Sequence, residues 1–368
     1  MQPLPSAVLP DGVRARVLPG INGLDVHVLE AGYETLGRPA VLLLHGFPEI
    51  AYSWRKVMPA LAEAGYHVIA PDQRGYGRTT GWDASFDGDL GSYRVLNLVR
   101  DVMGLLSALD LPAVAAVVGH DFGVTPAAYA ALLRPDIFKS MVLMSGPFAG
   151  APPLGQKVRG PDIHAALAAL PRRRKHYQWY YSTREANNDM WHAPQGVHDF
   201  LRAYYHYKSA DWAPNRPYPL AGWIASELAK MPTYYIMDLD QGMAETVAPF
   251  MPARAPAWLT DEELAVYAEA FERNGFQGGL QWYRAATSQQ YSAELVASTA
   301  GKKIGIPSLY IAGASDWGVY QKPGEFERMQ SEVCTDFRGA HLVAGAGHWV
   351  QQEQPEKTAA LLLGFLSA

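Results

Sequence analysis

The chain has 368 residues, of which 49% are hydrophobic, and a formal net charge of −5. This length is enough for one large core with an inserted lid or for two ordinary domains, and the mild acidity gives no reason to expect nucleic acid or an anionic membrane as a partner. The one cysteine, Cys334, excludes an internal disulfide. The first twelve residues lack the pattern of a secretory signal, and no apolar run approaches the roughly 20 residues of a membrane span, so we expect a cytoplasmic protein.

Strand-like and helix-like segments alternate from residue 24 to about residue 146, which predicts a mainly parallel sheet covered by helices. The first strand, residues 24–30, alternates apolar and polar residues as an edge strand does. Apolar residues from Val95 to Leu109 recur at helical spacing, and Ser92 is the expected N-cap of that helix. Continuous apolar runs, typical of strands buried on both faces, occupy residues 41–44, 68–70, 115–118 and 141–144.

The stretch from about residue 148 to residue 290 has a different character, being rich in Tyr, Trp, Pro and His with mainly helical segments. One helix is predicted to begin at Thr260, where Glu263 completes a capping box and Leu259 packs on Leu264. A helical block that interrupts a parallel sheet predicts a cap over the carboxyl ends of the strands, where open α/β sheets bind ligands.

The strand pattern returns after the cap. Residues 308–312 and 341–344 predict the last two strands, and residues 355–365 predict the closing helix. We therefore expect an α/β core domain formed by residues 1–147 and 291–368, with an eight-stranded sheet, and a cap domain formed by residues 148–290.

The charged residues of the cap give little sign of a metal site. The basic run of residues 172–175 is interpreted as a solvated helix start, and Asp238 and Asp240 as a surface pair or helix cap, because two carboxylates alone are weak evidence for a metal. We expect no metal and no cofactor. The cap histidines that lack the spacing of zinc ligands are His176, His192, His198 and His206.

The strongest chemical motif is Gly119-His120-Asp121-Phe122-Gly123, which follows a buried strand and precedes a helical segment. It has the form of a nucleophile elbow with aspartate in the place of serine, and its two glycines permit the tight, strained turn that exposes the central side chain. A strand end followed by an aspartate N-cap is the alternative. A serine esterase is excluded, because no serine stands in the elbow.

Two further motifs follow other strands of the predicted sheet. In His45-Gly46-Phe47-Pro48-Glu49, a tight turn would point the amide of Phe47 inward beside that of Phe122, and the two amides would form an oxyanion hole. His348 ends a glycine loop after the last strand, and Asp316 follows the strand before it. The chain order nucleophile, acid, histidine is that of α/β-hydrolases and predicts a triad of Asp121, Asp316 and His348.

Together these motifs resemble those of the epoxide hydrolases of the α/β-hydrolase superfamily, and the resemblance runs over nearly the whole chain. The sequence Asp72-Gln73-Arg74-Gly75-Tyr76-Gly77 also matches. Residues 177–181 and 275–284 resemble the two cap segments that supply ring-opening tyrosines, which the resemblance assigns to Tyr177 and Tyr283. It implies a small hydrophobic epoxide and water as substrates, in a pocket that we expect to be lined by His45, Pro48, Trp179 and Trp282.

The chemistry explains why the family uses these residue types. A carboxylate opens an epoxide carbon when phenols, still protonated at neutral pH, donate to the developing alkoxide. The resulting ester on Asp121 is hydrolysed by water that His348, oriented by Asp316, activates. A serine would form an ether that the triad could not hydrolyse.

Other functions stay open. Dehalogenases also use an aspartate elbow; Phe122 stands where haloalkane members have tryptophan and fluoroacetate members have arginine, but the indole N–H groups of Trp179 and Trp282 could hold a halide. A non-catalytic binding protein on the same fold is less favoured, because all five catalytic side chains are present. The insert of residues 211–256 has no counterpart that we can name. The particular epoxide, the selectivity and the oligomeric state, whether monomer or homodimer, are not predicted.

Overall fold

The computed structural model describes residues 1–151, 154 and 162–368. Its strands are Val13–Ile21 (β1), Leu24–Ala31 (β2), Ala40–Leu44 (β3), His67–Pro71 (β4), Ala116–His120 (β5), Met141–Met144 (β6), Arg174–His176 (β7), Ile236–Asp238 (β8), Ser308–Gly313 (β9) and Phe337–Val343 (β10). Its α-helices are Met58–Glu63 (α1), Val95–Ala108 (α2), Val124–Leu133 (α3), Ile163–Ala168 (α4), Tyr177–Tyr181 (α5), Glu185–Trp191 (α6), Gly196–Lys208 (α7), Ala225–Leu228 (α8), Met243–Val247 (α9), Asp261–Asn274 (α10), Gln277–Thr287 (α11), Gln289–Thr299 (α12), Glu325–Arg328 (α13), Val350–Glu353 (α14) and Pro355–Leu366 (α15).

Eight of the strands form one sheet in the order β1-β2-β4-β3-β5-β6-β9-β10. β2 pairs antiparallel with both β1 and β4, and all the other pairs of this sheet are parallel. β3, β5, β6 and β9 are buried along their whole length, because α2 and α3 cover one face of the sheet while α1 and α15 cover the other. This confirms the predicted eight-stranded, mainly parallel sheet of an α/β-hydrolase fold.

The expectation that residues 24–30 form an edge strand is wrong. β1 forms the edge, and β2 lies between β1 and β4. Asp25 of β2 is exposed, but its other two polar side chains are buried and paired: His27 Nδ1 lies 2.8 Å from Asp72 Oδ2, and Glu30 Oε1 lies 3.1 Å from His67 Nε2. Both partners are far along the chain, so periodicity alone does not reveal them.

The helix expected behind Ser92 begins later, at Val95. Ser92 lies instead in a separate 3-10 turn, Leu90–Tyr93, whose cap is Asp89. The Asp89 carboxylate accepts a hydrogen bond from the amide of Gly91 at 2.9 Å. The predicted N-cap is therefore wrong, because one extra turn precedes the helix.

The cap elements α4 to α11, together with the small sheet of β7 and β8, lie between β6 and β9 in the chain. The predicted start of α10 is confirmed: Thr260 Oγ1 accepts from the amide of Glu263, and Glu263 Oε2 accepts from the amide of Thr260. Leu259 and Leu264 are both fully buried, as a hydrophobic staple requires. Glu263 also pairs with Arg55 of the core at 2.9 Å, which fastens the cap to the core. The domain boundaries stay a prediction.

The basic run of the cap is not a helix start. Its last residues form β7, which pairs antiparallel with β8. Arg172 and Arg174 both donate to Asp238, and Arg173 lies 3.8 Å from Asp240. The two carboxylates that were considered for a metal are thus each paired with arginine, because the strand pairing places the basic and acidic runs side by side.

Candidate active site

The turn between β5 and α3 places Asp121 at the carboxyl edge of the sheet. Its φ of 51° lies in the left-handed region, which a residue other than glycine adopts at a cost in strain. The flanking glycines have no room for a side chain: a Cβ on Gly119 would lie 2.4 Å from the carbonyl oxygen of Gly123, and one on Gly123 would lie 2.4 Å from that of Leu44. This is the geometry of a nucleophile elbow.

Loops after three different strands bring the predicted triad together. His348 Nε2 lies 3.1 Å from Asp121 Oδ2, and His348 Nδ1 lies 3.0 Å from Asp316 Oδ1. The amide of Gly318 donates to Asp316 at 2.7 Å and fixes the orientation of that carboxylate. One imidazole therefore joins the two carboxylates, in the order nucleophile, base and orienting acid.

The surroundings of Asp121 favour its ionised form. Burial raises the pKa of Asp121, but the hydrogen bond and charge of His348, with Lys208 and His120 beyond it, together hold this pKa well below its usual range. Burial also raises the pKa of Asp316, and His348, the Gly318 amide and Lys208 lower it to a net value below the ordinary one. Both carboxylates are therefore ionised at neutral pH, as their predicted roles of nucleophile and orienting acid require.

Of the two amides expected to form an oxyanion hole, that of Phe47 donates to Asp121 Oδ1 at 2.9 Å. Phe122 follows Asp121 in the elbow, and the role of its amide stays a prediction. The Phe122 ring stacks on the ring of Tyr283, with centroids 4.7 Å apart, and meets Trp282 at 5.5 Å. Phe122 thus packs against α11 of the cap.

The two tyrosines assigned to ring opening are buried together, with ring centroids 6.0 Å apart. Tyr177 donates its hydroxyl hydrogen to Gln321 Oε1 at 3.2 Å. Burial, and then the charge of Asp121, raise the pKa of both Tyr177 and Tyr283 well above the ordinary value, so both phenols stay protonated. The neighbouring hydroxyls of Tyr180 and Tyr181 are engaged elsewhere in the cap.

Two residues expected to line the pocket have other contacts. His45 is fully buried. Its Nδ1 lies 2.9 Å from the carbonyl oxygen of Gly46, and its Nε2 accepts a hydrogen bond from the backbone amide of Gln73 at 3.1 Å. Its imidazole therefore braces the loop instead of facing a substrate. Pro48 accepts a hydrogen bond from the Tyr205 hydroxyl through its carbonyl, which joins this loop to the cap.

The two tryptophans differ in position. Trp282 is buried in the tyrosine cluster, but its indole N–H donates to the carbonyl oxygen of Arg74 at 2.8 Å. Trp179 is 40% exposed and packs edge-on against His164, away from the cluster. The position expected for Trp179 is wrong, because α5 turns Tyr177 inward and Trp179 outward.

Sequence reasoning missed a buried ion pair beneath the triad. His120 Nδ1 lies 2.6 Å from Glu49 Oε2, and His120 Nε2 lies 2.8 Å from the carbonyl oxygen of His348. Both partners are acceptors, so both ring nitrogens carry hydrogen. Burial lowers the pKa of His120, but the charge and hydrogen bond of Glu49 raise it to a net value above the ordinary one. Both residues stand inside the motifs described above, but their pairing is visible only in three dimensions.

The loop that carries His348 is also tied to the cap. The amide of His348 donates to the carbonyl oxygen of Lys208, at the end of α7, at 2.9 Å. Glu353 accepts from the amides of Gly347 and Trp349 on this loop and from the amide of Ala210 in the cap. The backbone position of His348 thus depends on both parts of the molecule.

Comparison with known proteins agrees with this geometry. A family model described as the alpha/beta hydrolase fold matches residues 39–355. Epoxide hydrolase B of Mycobacterium tuberculosis is 34% identical, covering 94% of this chain and 96% of its own length, and epoxide hydrolase A of the same organism is 36% identical, covering 94% and 95%. The chain belongs to the epoxide hydrolases of the α/β-hydrolase superfamily. It is therefore a hydrolase of the class that acts on ether bonds.

Solved structures of this family superpose closely on the chain. An epoxide hydrolase from an endophytic Streptomyces has a TM-score of 0.77 at 30% identity, covering 97% of this chain and 96% of its own. Epoxide hydrolase A from Mycobacterium thermoresistibile has a TM-score of 0.75 at 32% identity, covering 97% and 98%. Within the described ranges, we find no helix with the length and hydrophobicity needed to cross a bilayer.

Proposed function

We propose that this epoxide hydrolase converts an epoxide to a vicinal diol through a covalent ester on Asp121. The observation that carries the proposal is that His348 joins Asp121 and Asp316 at 3.1 and 3.0 Å beneath two buried, protonated tyrosines. A carboxylate nucleophile, a base and two acids are the groups that this reaction needs.

In the first step an ionised oxygen of Asp121 attacks a ring carbon of the epoxide. A bond forms between that oxygen and the carbon, and the bond from the same carbon to the epoxide oxygen breaks. Tyr177 or Tyr283 gives its hydroxyl proton to the leaving oxygen, so no free alkoxide forms. Because the pKa of both phenols is raised, each holds its proton until that oxygen becomes strongly basic.

In the second step His348 takes a proton from water, and the resulting hydroxide attacks the ester carbonyl carbon of Asp121. The negative charge that develops on the carbonyl oxygen is stabilised by the amide of Phe47, which already donates to Asp121 Oδ1, and by that of Phe122. The ester bond then breaks, and the leaving oxygen takes the remaining proton of the attacking water, so the diol leaves and Asp121 is again a carboxylate. His348 returns the proton that it took from water to the tyrosinate. Asp121 keeps one oxygen from water.

The dehalogenase alternative loses its main support in the geometry. It required the indole N–H groups of Trp179 and Trp282 to hold a halide, but the Trp282 N–H is bound to Arg74 and Trp179 packs on the outer part of the cap. Halide release from haloalkanes or haloacetates, with no diol formed from epoxides, would restore that alternative.

The aromatic surroundings of Asp121 favour a small hydrophobic epoxide as substrate, with water as the second reactant. Phe47, Phe122, Tyr181 and the two ring-opening tyrosines present mainly carbon to the site. The cytoplasmic location stays a prediction, and so does the choice between monomer and homodimer.

The decisive experiment assays diol formation from styrene-type and aliphatic epoxides and follows the intact protein by mass spectrometry. His348→Gln is expected to accumulate an adduct of one epoxide mass, because alkylation proceeds and hydrolysis does not. Asp121→Asn is expected to form none, and His198→Gln, which alters an exposed cap histidine, is expected to behave as the wild type. Wild-type turnover without an adduct on His348→Gln would contradict the covalent route.

A single turnover in oxygen-18 water tests the source of the oxygen. With enzyme in excess, the diol is expected to contain no label, because its new oxygen comes from Asp121, while the protein gains one labelled oxygen. Label in the first-turnover diol would mean that water attacks the epoxide directly.

A further inference from the structure

Lys208, the last residue of α7, carries a buried side chain close to the triad. Its Nζ lies 5.0 to 5.8 Å from the ring centroids of Tyr204, Tyr234, Tyr235 and Trp349. These distances are within the range of cation–π attraction, so the rings stabilise the ammonium form. The Trp349 ring in turn meets the His348 ring, with centroids 4.7 Å apart.

The ammonium has no direct partner in the part of the chain that the structure describes. Among the described residues, no carboxylate oxygen lies within 4.0 Å of Nζ and no hydrogen bond from Nζ is found. A buried lysine without such a partner is unusual, because removing an ammonium from water is costly. Its retention in the wall of this site needs an explanation other than a salt bridge.

The negative charges around Lys208 explain why a lysine is buried here. Burial lowers the pKa of Lys208, and the carboxylates of Asp121, Asp316 and Glu49 oppose that effect. Glu49 already has a charged partner in His120. Asp121 and Asp316 instead share one imidazole, so two buried negative charges depend on a single base. Among the described residues, the phenols of Tyr204, Tyr234 and Tyr235 also face the ammonium, and their raised pKa keeps them protonated. Glu353, which accepts the amides of Trp349 and Ala210, is a further titratable group beside this segment, and burial raises its pKa to about 7.

We propose that Lys208 is a positioning residue of the triad, a fixed counter-charge that keeps Asp121 and Asp316 both ionised on one imidazole. It acts at a distance, through the field and not through a contact, so it leaves both carboxylates free for their chemical roles. The inference rests on the function proposed above, in which Asp121 must attack as a carboxylate and His348 must accept a proton.

Loss of this charge would change the proton affinity of the triad as a unit. Without the ammonium, the cluster of Asp121, His348 and Asp316 holds its last proton to higher pH, because two negative charges attract that proton more strongly. At neutral pH more of the enzyme would then be protonated, with either the nucleophile or the base unable to react. At alkaline pH the cluster would lose that proton and activity would return.

The test compares Lys208→Met and Lys208→Arg with the wild type. For Lys208→Met, we expect the acid limb of the kcat/KM profile and of single-turnover ester hydrolysis to move upward by about 1 to 3 pH units, with activity largely recovered at pH 9. Lys208→Arg keeps the charge and is expected to keep the profile near that of the wild type. A rate that falls equally at every pH would overturn the proposal, because a packing defect has that signature.

Lys175→Met is the matched control, because Lys175 is also a cap lysine held against a tyrosine ring, 4.4 Å from Tyr180. Its acidic neighbours belong to the cap and not to the triad. Its pH profile is expected to match the wild type. A shift as large as that of Lys208→Met would overturn the proposal, because the effect would then not be specific to the triad.

Two measurements need no substrate, and the first of them needs no variant that might unfold. Nitrogen-15 NMR of labelled lysine in the wild type is expected to show Lys208 as an ammonium at pH 7, and a neutral amine would overturn the proposal. Nitrogen-15 NMR of the His348 ring follows the proton of the cluster, which Lys208→Met should retain to higher pH. These results do not depend on diol formation, so failure of the proposed function and failure of this inference are distinguishable.

Discussion

Two tyrosines, Tyr177 and Tyr283, carry the proposed role of acid, and their contributions can be separated. A positioned acid contributes about 100- to 10,000-fold to a proton-transfer step. Because the second phenol remains in each single variant, we expect Tyr177→Phe or Tyr283→Phe to slow alkylation of Asp121 by about 10- to 100-fold, and the double variant to lose nearly all of it. Stopped-flow tryptophan fluorescence of the first turnover measures this rate.

Tyr180→Phe is the control for that series, since the Tyr180 hydroxyl donates to Asp189 in the cap and its neighbour Tyr177 carries the proposed role. Its alkylation rate is expected to stay within about twofold of the wild type. If Tyr180→Phe were as slow as Tyr177→Phe, loss of cap packing would explain both, and the assignment of Tyr177 as an acid would be wrong.

The pair of Glu49 and His120 leads to a pH-dependent prediction. The pKa of Glu49 lies below its ordinary value of 4.5. Burial alone would raise this pKa, but the charge and hydrogen bond of His120, together with Ser53 and His45, outweigh the effect of burial. The pKa of His120 is raised from 6.5. The stability that Glu49 contributes through its lowered pKa is lost as the pH falls below 4.5, the pKa of the unfolded state, towards the pKa of the folded state. The stability that His120 contributes through its raised pKa is lost as the pH rises above 6.5, the pKa of the unfolded state, and through the pKa of the folded state. The pair therefore contributes most between these two pH values.

Glu49→Gln is expected to lower the free energy of unfolding by about 3 to 5 kcal/mol near pH 5.5, because it leaves the imidazolium buried without its partner. The difference from the wild type should shrink above pH 8, where His120 can lose its proton in the variant. Urea unfolding at both pH values measures it. A deficit that is equal at the two pH values would mean that Glu49 acts by packing or neutral hydrogen bonds.

At the scale of single elements, the start of α10 joins local and tertiary structure. Thr260→Ala removes one half of the capping box and should lower the free energy of unfolding by about 1 kcal/mol. Glu263→Gln should lower the free energy of unfolding by more, about 2 kcal/mol, because Glu263 also pairs with the buried Arg55 across the boundary between core and cap. The loss stays below that of a fully buried ion pair because Glu263 is partly exposed. Urea unfolding of both variants tests the order, with Thr260→Ser as the conservative control. The reverse order would show that the contact with Arg55 contributes little.

The elements that the sequence predicts well are those with a local signal. The apolar runs of β3, β5 and β6 and the capping box at Thr260 depend on residues within a few positions of each other. The predictions for Ser92 and for the basic run are wrong for different reasons. Asp89 caps a separate 3-10 turn before the helix, and the arginines pair with Asp238, which lies 66 residues from Arg172 in the chain.

The candidate site was predictable for a related reason. Asp121, Asp316 and His348 each follow a parallel strand, and the carboxyl ends of parallel strands meet at one edge of the sheet. Contacts between distant segments were not predictable in this way. His120 with Glu49 and Lys208 with Trp349 depend on how the cap and the loops pack, and no spacing in the sequence records it.

At the scale of the whole molecule, His348, the proposed base, lies at the junction of core and cap. Glu353 of α14 accepts the amides of Gly347 and Trp349, on either side of His348, and also the amide of Ala210 just after α7. A Cβ on Gly347 would lie 2.5 Å from the backbone carbonyl carbon of Ser209, so the His348 loop and the segment after α7 are in close contact here. The cap is thus part of the support of His348, and in the proposed function it also covers the substrate.

Glu353→Gln should separate these two roles of the cap. It replaces one accepting oxygen by an amide N–H that faces backbone donors, so the free energy of unfolding should fall by about 1 to 3 kcal/mol. Because Glu353 supports the base and not the nucleophile, hydrolysis of the ester should slow more than its formation, and the ester should accumulate during turnover. Glu356→Gln, on the first turn of α15 and exposed, is the control. Equal slowing of both steps in Glu353→Gln would show that the cap had moved as a whole, with the nucleophile and tyrosines affected as much as His348.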